Sequence, residues 1–348
     1  MTITTSAPAG YRIEEVETAK VTDEQMRGIA ELTWAIEREA MPEDPPRPLE
    51  SIAARFRTTS PMFKRRQWGA FQGDRLVGGA TLVQNFTGSN EHLRDVGLDV
   101  DPEHRQRGLG RALFARIVEA IGDEKGILLT GRTRGRAPAG EAFAKRVGAE
   151  PKLRMRNSQL DLAAVDRRLM DEWASLDPAG YRLEWIAGDT PDRLMPNVLT
   201  AIRTMNTAPR EGLDMDDWVM TAEMVRDWER MAHERGQEHL MVLAIDDASG
   251  ETAAFTQIFW DPREPHVVGQ GGTATVPVHR GKGLGKWVKA RMLLRVLEDH
   301  PEARYIRTDN AGTNAPMLAI NTKMGFGFIF EAVIWQMPLA DAQKYVRR

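Results

Sequence analysis

The chain repeats itself, and this limits its architecture more than any other feature. Ala9-Gly10-Tyr11-Arg12-Ile13-Glu14 returns as Ala179-Gly180-Tyr181-Arg182-Leu183-Glu184. Arg105-Gln106-Arg107-Gly108-Leu109-Gly110 returns as Arg280-Gly281-Lys282-Gly283-Leu284-Gly285, and Gly148-Ala149 as Gly325-Phe326. Two copies at so long a spacing are too few for a solenoid, so duplication of a whole domain is the reading. It divides the 348 residues into an N-terminal domain over 1–160 and a C-terminal domain over 179–348. A linking helix over 161–178 lies between them, with Asp166 to Leu176 stopped by Asp177-Pro178 and Gly180. A linker packed into one large domain is the alternative organisation.

Each half reads in the order β-α-α-β-β-β-α-β-α-β. In the first, strands are expected near 10–18, 67–72, 76–84, 93–100, 127–130 and 153–161. In the second they fall near 180–187, 239–246, 252–260, 266–276, 303–308 and 326–337. Leu109, Leu113, Ile117 and Ile121 recur every four residues, as do Leu284, Val288, Met292 and Val296, which gives each half one long helix with a single apolar face. Ala315 to Met324 reads as the later helix of the second half.

Composition excludes several chemistries. No cysteine is present, which removes disulfides, thiolate metal sites and an acyl-cysteine intermediate. The seven histidines show no metal-ligand spacing, so no metal is expected. A net charge of −3 argues against a nucleic-acid coat protein. No apolar run approaches the roughly 18 residues of a membrane helix, and Met1-Thr2-Ile3-Thr4-Thr5 lacks the regions of a secretory signal, so the expected place is the cytoplasm. The nine tryptophans, Trp173, Trp218 and Trp287 among them, are read as core and interdomain filling.

The chemistry lies where the fourth strand of each half meets the long helix, at Arg-x-x-Gly-x-Gly. Glycines let backbone N–H groups approach a diphosphate, and the helix N-terminus beyond adds free donors and a favourable dipole. Each half thereby resembles a GNAT-superfamily N-acetyltransferase, whose acetyl-CoA loop has this pattern at this place. The likeness extends to Asn310, Asn314, Met317 and Lys323-Met324-Gly325-Phe326. The tandem layout and Met205-Asn206-Thr207-Ala208-Pro209 are similar to actinobacterial tandem members of the mycothiol-synthase type. The resemblance implies an α/β fold of two tandem domains, each a mixed, mostly antiparallel sheet flanked by helices. It also implies acetyl-CoA as cofactor and transfer by direct attack of an amine, on a small molecule or a protein lysine. Arg105, Gln106, Arg107, Gly108, Leu109, Gly110 and Arg111 in one half, and Arg280, Gly281, Lys282, Gly283, Leu284, Gly285 and Lys286 in the other, are implied to wrap the pyrophosphate. The pantetheine arm is implied to pair with the backbone of Leu98 to Val100 and of Thr275 to Val276, with Asn310 and Asn314 opposite. Helix capping is the alternative for these asparagines. His104 and His279, each just before the loop arginine, suit a loop-shaping role.

Direct attack needs a base, because an amine with a pKa of about 10.4 is mostly protonated at neutral pH. The first half carries Asp95 and Asp99 on its fourth strand, while the second carries no carboxylate between His266 and Val276. Asp214, with Asp216 and Asp217, is read as drawing a cationic acceptor to the second half; an acidic helix start is the alternative. Many members of the family carry a tyrosine acid where this chain has Asn321 in one half and Ala144 in the other. The second half is expected to be the catalytic one. A non-catalytic acyl-CoA sensor is the rival reading, and neither acceptor nor oligomeric state follows from the sequence.

Overall fold

The structure is a computed structural model that describes residues 6–347. The opening five residues, read above for a missing secretory signal, lie outside that range. Strands and helices form in the expected order, but the chain does not divide into the contiguous ranges 1–160 and 179–348. One compact unit contains residues 6–154, 211–216 and 331–347; the other contains 155–210 and 217–330.

In the first unit, β1 (Arg12–Glu15), β2 (Phe63–Gln72), β3 (Arg75–Asn85) and β4 (Leu93–Val100) form an antiparallel run. Helices α1 (Asp23–Ala40) and α2 (Leu49–Arg57) connect β1 to β2. After β4 the chain enters α3 (Leu109–Ile121), whose face Leu109, Leu113, Phe114, Ile117 and Ile121 is buried against the sheet. It then returns as β5 (Leu128–Arg134), the one parallel neighbour of β4. Helix α4 (Pro138–Val147) follows and ends on Gly148 in the left-handed region, as the Gly-Ala repeat foreshadows.

The last strand of each half joins the other unit's sheet. Residues Met155 to Asp161 of β6 (Glu150–Asp161) pair antiparallel with the second unit's β11 (Tyr305–Ala311). Residues Ala332 to Pro338 of β12 (Gly327–Pro338) pair with β5. The strand orders are therefore β1-β2-β3-β4-β5-β12 and β6-β11-β10-β9-β8-β7. The second set is completed by β7 (Tyr181–Ala187), β8 (Glu238–Asp246), β9 (Thr252–Trp260) and β10 (Val267–Thr275). The helix after each exchanged strand follows it. In the second unit α5 (Arg167–Ala174) packs on α8 (Leu284–Asp299), where Trp287 Nε1 donates to Ala174 O at 3.1 Å. In the first unit α10 (Leu339–Arg347) covers α3 through Leu339, Ala342 and Val346. The linking helix is thus part of the second unit's core. Helices α6 (Met195–Thr204), α7 (Ala222–Glu234) and α9 (Ala315–Met324) complete that unit. No helix among the described residues is long and apolar enough to cross a membrane.

Candidate active site

Each unit holds a fork in its sheet. The parallel pair β4/β5 runs only from Leu93↔Leu128 to Asp95↔Thr130, and β10/β11 only from Val267↔Tyr305 to Gly269↔Arg307. Beyond the third residue pair the strands part, while β4 and β10 stay paired to β3 and β9 on their other edge. A strand edge with unpaired backbone groups therefore faces the opening, ready to receive an extended ligand.

At the mouth of each fork lies the glycine-rich turn. Gln106 and Gly108 adopt φ of 59° and 84°; Gly281 and Gly283 repeat this at 81° and 82°. Successive residues of this kind turn their N–H groups into one concavity, which favours an anion. Gly108 and Gly283 start α3 and α8 without a side-chain cap or a first-turn acid, so the helix N–H groups stay available. A Cβ on Gly281 would meet nothing within 4 Å, so the turn lies open.

The two repeated motifs prove to be parts of one device. Pro8 and Pro178 stand at the start of each Ala-Gly-Tyr turn, and their carbonyls accept from Tyr11 N and Tyr181 N. The tyrosine hydroxyls reach the loops. Tyr181 Oη lies 2.9 Å from His279 Nδ1 and accepts from Lys282 Nζ at 2.6 Å; Tyr11 Oη lies 3.1 Å from His104 Nδ1 and accepts from Arg107 at 3.1 Å. With the cation donating, the hydroxyl proton is left for the histidine, which gives His104 and His279 their loop-shaping role. Arg111 lies over the Tyr345 ring and Lys286 over the Trp173 ring, each turned toward the covering helix.

The units differ in what they offer an anion. Arg105 and Arg280 both fix their Nε on the last strand carbonyl, Val100 O at 3.1 Å and Thr275 O at 3.2 Å. Arg105 then closes bidentately on Glu39 at 2.7 and 2.5 Å, whereas Arg280 donates only to Thr207 Oγ1 at 2.8 Å. The first unit's loop cation is already neutralised; the second's is held by a neutral hydroxyl. These bonds share the edge expected to pair with the arm. The carbonyls of Val100 and Thr275 are taken, and Val276 N donates to Ala253 O, away from the fork. The part of β10 that β11 leaves unpaired runs from Gln270 to Thr275.

A second asymmetry sits in the strands. The β3/β4 ladder is regular from Arg94 to Val100, but β10 carries a bulge, its register slipping between Gln270 and Thr273 opposite β9. The extra residue is left out of the ladder. Part of the drift between the repeats is thus one residue inserted within the strand. Gly271 and Gly272 occupy the bulge because a Cβ there would strike Phe259 at 2.9 Å and Phe255 at 3.1 Å. On this face Met205 meets Gly272, and Asn206 pins the exposed Trp218 by accepting from its N–H at 3.0 Å and donating to its carbonyl at 3.1 Å. Thr207, next in sequence, holds Arg280. The Met-Asn-Thr segment therefore joins the anion loop to the apolar wall beside the bulge.

Several expected residues are elsewhere. Asp214 belongs to the first unit, where its N–H and carbonyl bond the Gln336 amide at 2.9 Å each and its carboxylate faces His92 at 3.3 Å. This is the end of β4 remote from the first unit's loop, and no helix begins at 214–217, so the acidic helix start is not what these residues form. Asn314 is the N-cap of α9, accepting from Met317 N. Asn310 accepts from Asn321 Nδ2 at 2.7 Å, and Asn321, 3 % exposed, keeps its Oδ1 without a hydrogen bond. An amide donates and accepts but gives up no proton near neutral pH, so Asn321 is no replacement for a tyrosine acid. Asp95 and Asp99 keep solvent-exposed surface on β4, yet the protein packed around them raises both carboxyl pKa values by desolvation, against the pull of Arg134 and Arg105 on Asp99.

Three residues escaped the sequence reading. His239 of β8 stacks on Phe259 with centroids 4.8 Å apart, and burial lowers its pKa below the ordinary imidazole value despite a 3.0 Å hydrogen bond to Gln257. Lys289 of α8 is 2 % exposed and donates to Gln270 at 2.6 Å. Both Lys289 and Gln270 break an apolar pattern, which was the available signal.

Residues 28–148 match the model of the acetyltransferase (GNAT) family. The whole chain is similar in structure to a tandem GNAT protein from the clavulanic acid biosynthesis pathway, with 26% identity, 94% of this chain and 98% of that one covered, and a TM-score of 0.77. A GCN5-related N-acetyltransferase from Sphaerobacter thermophilus shares the fold at 14% identity, covering 96% and 97% of the two chains, with a TM-score of 0.67. No curated protein matches the sequence.

Proposed function

We propose, for a chain that is a tandem member of the GNAT acetyltransferases and so an acyl transferase in general, that the second unit moves an acetyl group from acetyl-CoA to an amine. The carrying observation is the alignment in that unit of an open anion turn, a fork with a free strand edge and a bulge at the head of the fork. Gly281 to Lys286 and Arg280 hold the diphosphate. From Thr275 back to Gln270 the edge of β10 spans about 17 Å, the reach of an extended arm. When bound, acetyl-CoA supplies a thioester-activated acetyl group.

The chain's own contribution is positioning and polarisation. The N–H freed by the bulge meets the acyl oxygen, where negative charge grows as the amine attacks. The acceptor comes over the Gly271–Gly272 face, between Met205 and Phe259. No tyrosine stands ready as acid and β10 carries no carboxylate, so the amine enters in its neutral form and the proton it sheds on attack passes to the departing sulfur, whose thiol pKa near 8.5 puts departure as thiolate at a cost of only about 2 kcal/mol at neutral pH. In the first unit Glu39 competes with any phosphate for Arg105, and β4 has no bulge, so that unit serves as a weaker cofactor site or a scaffold. A cytoplasmic setting suits an enzyme fed by the acetyl-CoA pool.

The test is calorimetry with acetyl-CoA on the intact chain and on Gly108→Glu and Gly283→Glu. Loss of the tighter site in Gly283→Glu supports the assignment. No binding at all sinks it, and binding without CoA release for any amine leaves a sensor.

A further inference from the structure

Lys289 is the one residue of α8's buried face that is charged in water, and nothing in the reaction as described uses it. It lies under the head of the second unit's fork. Gly269 makes the last pair with β11, Gln270 is the next residue, and Lys289 Nζ donates to the Gln270 amide oxygen. The network continues across the bulge. Gln270 Nε2 donates to Thr256 Oγ1 at 2.8 Å, and Thr256 Oγ1 lies 2.6 Å from Thr273 Oγ1. Gln270 and Thr273 are the residues on either side of the bulge, so both its ends are tied to one buried threonine of β9, and the tie is anchored from below by a lysine.

The first unit shows that the fold does not require this. By fork position Gln270 corresponds to Val96, and by helix position Lys289 corresponds to Phe114. Val96 and Phe114 pack in an ordinary apolar core beneath a strand with no bulge. Polar pair and bulge are present together in one unit and absent together in the other. Burying a lysine is costly, and such groups cluster where chemistry needs them.

We infer that Lys289 is a positioning residue for acyl transfer in the second unit: through Gln270 it locks the Gly271–Gly272 bulge in the shape that receives the acyl group. This rests on the function proposed above. The ammonium donates to Gln270 and lies 5.2 Å from the centroid of the Phe326 ring. Strands β9 and β10 carry no ionisable side chain. Those of α5 (Arg167, Arg168, Asp171, Glu172) and of β8 (Glu238, His239, Asp246) leave its titration alone, burial being the sole cause of a pKa near 7. The lock therefore changes charge, and with it the strength of the Lys289–Gln270 bond, across neutral pH.

The experiment uses the full chain carrying Gly108→Glu, so that only the second unit binds, and measures acetyl-CoA and CoA affinities by calorimetry between pH 6 and pH 8. The parent is expected to change its preference for acetyl-CoA over CoA by about threefold or more across that range. Gln270→Val with Lys289→Phe copies the pair that already packs in the first unit, and Lys289→Met is the milder change. Both are expected to bind CoA within about twofold of the parent and to show a preference that no longer moves with pH. A preference and pH response identical to the parent's in both variants overturns the inference while leaving acetyl-CoA binding intact. Failure of the parent to bind acetyl-CoA overturns the functional reading itself.

Discussion

Replacing Lys289 by methionine tests the burial argument without any ligand. Burial moves this amine from 10.5 to about 7. At about 1.4 kcal/mol per pH unit, that displacement is an energy on the order of 5 kcal/mol against the charged form. At pH 7 the folded protein carries nearly all of it, because folding must either strip the proton or bury the charge. Methionine keeps most of the stem's packing but loses the hydrogen bond to Gln270 and leaves the part-buried amide oxygen unpaired, a loss of about 2 kcal/mol. Lys289→Met is thus expected to stabilise the second unit by about 3 kcal/mol at pH 7. The sign with pH follows from the lowered pKa. Between about 7 and 10.5 the unfolded chain binds the proton and the folded one does not, so wild-type stability rises with pH there, and the penalty is complete only below about 7. The advantage of the variant should shrink by about 1.4 kcal/mol per pH unit, nearly vanishing by about pH 9. Urea titrations at several pH values, followed by tryptophan fluorescence, read the difference. Parallel curves for the two proteins from pH 7 to pH 9 would refute the reasoning.

Glu39→Gln frees Arg105 and should tighten acetyl-CoA binding to the first unit by about five- to tenfold, measured by calorimetry with Gly283→Glu blocking the other site. Tyr181→Phe removes the hydroxyl shared by His279 and Lys282; it should weaken the second site about three- to tenfold with under about 1.5 kcal/mol lost in stability, and an equal affinity would show the clamp to be idle. Gln106→Gly gives the first loop the residue found at Gly281 and relieves a left-handed φ, so thermal unfolding should show a gain of about 1 kcal/mol. Asp214→Ala, at the end of β4 remote from the first unit's loop, should leave CoA release within about twofold of wild type; a large loss would support the acceptor role instead.

Most of the fold was legible because its signals are local. The four-residue spacing of Leu109, Leu113, Ile117 and Ile121 marks α3, and all four are buried. The glycine turns were legible because only a few residue types tolerate two left-handed angles so close together. What was hidden depends on partners far apart in sequence. Glu39 sits 66 positions from the arginine it neutralises, and no pattern ties them. The bulge in β10 is a single residue spread through a glycine-rich strand, easily mistaken for loop drift. The destination of β6 and β12 was illegible for a deeper reason: two copies of one domain end in interchangeable strands, so local patterning satisfies either pairing equally. The short segment 211–216, with Asp214, likewise belongs to the first unit, and no local pattern marks it.

The exchange of final strands also sets an order of events during synthesis. The second unit is built from residues 155–210 and 217–330, so its parts emerge in nearly one stretch. The first cannot finish when its own half has been made, because the partner of β5 is β12. Some 200 residues separate Arg134 from Ala332, a delay of about 10–40 s at ordinary translation rates. Throughout that interval β5 is an unpaired edge and α3 lacks the helix that covers it, so the nascent N-terminal half is the stage most exposed to misassociation and most in need of a chaperone. A chain released short of β12 would carry a finished second unit behind an unfinished first one.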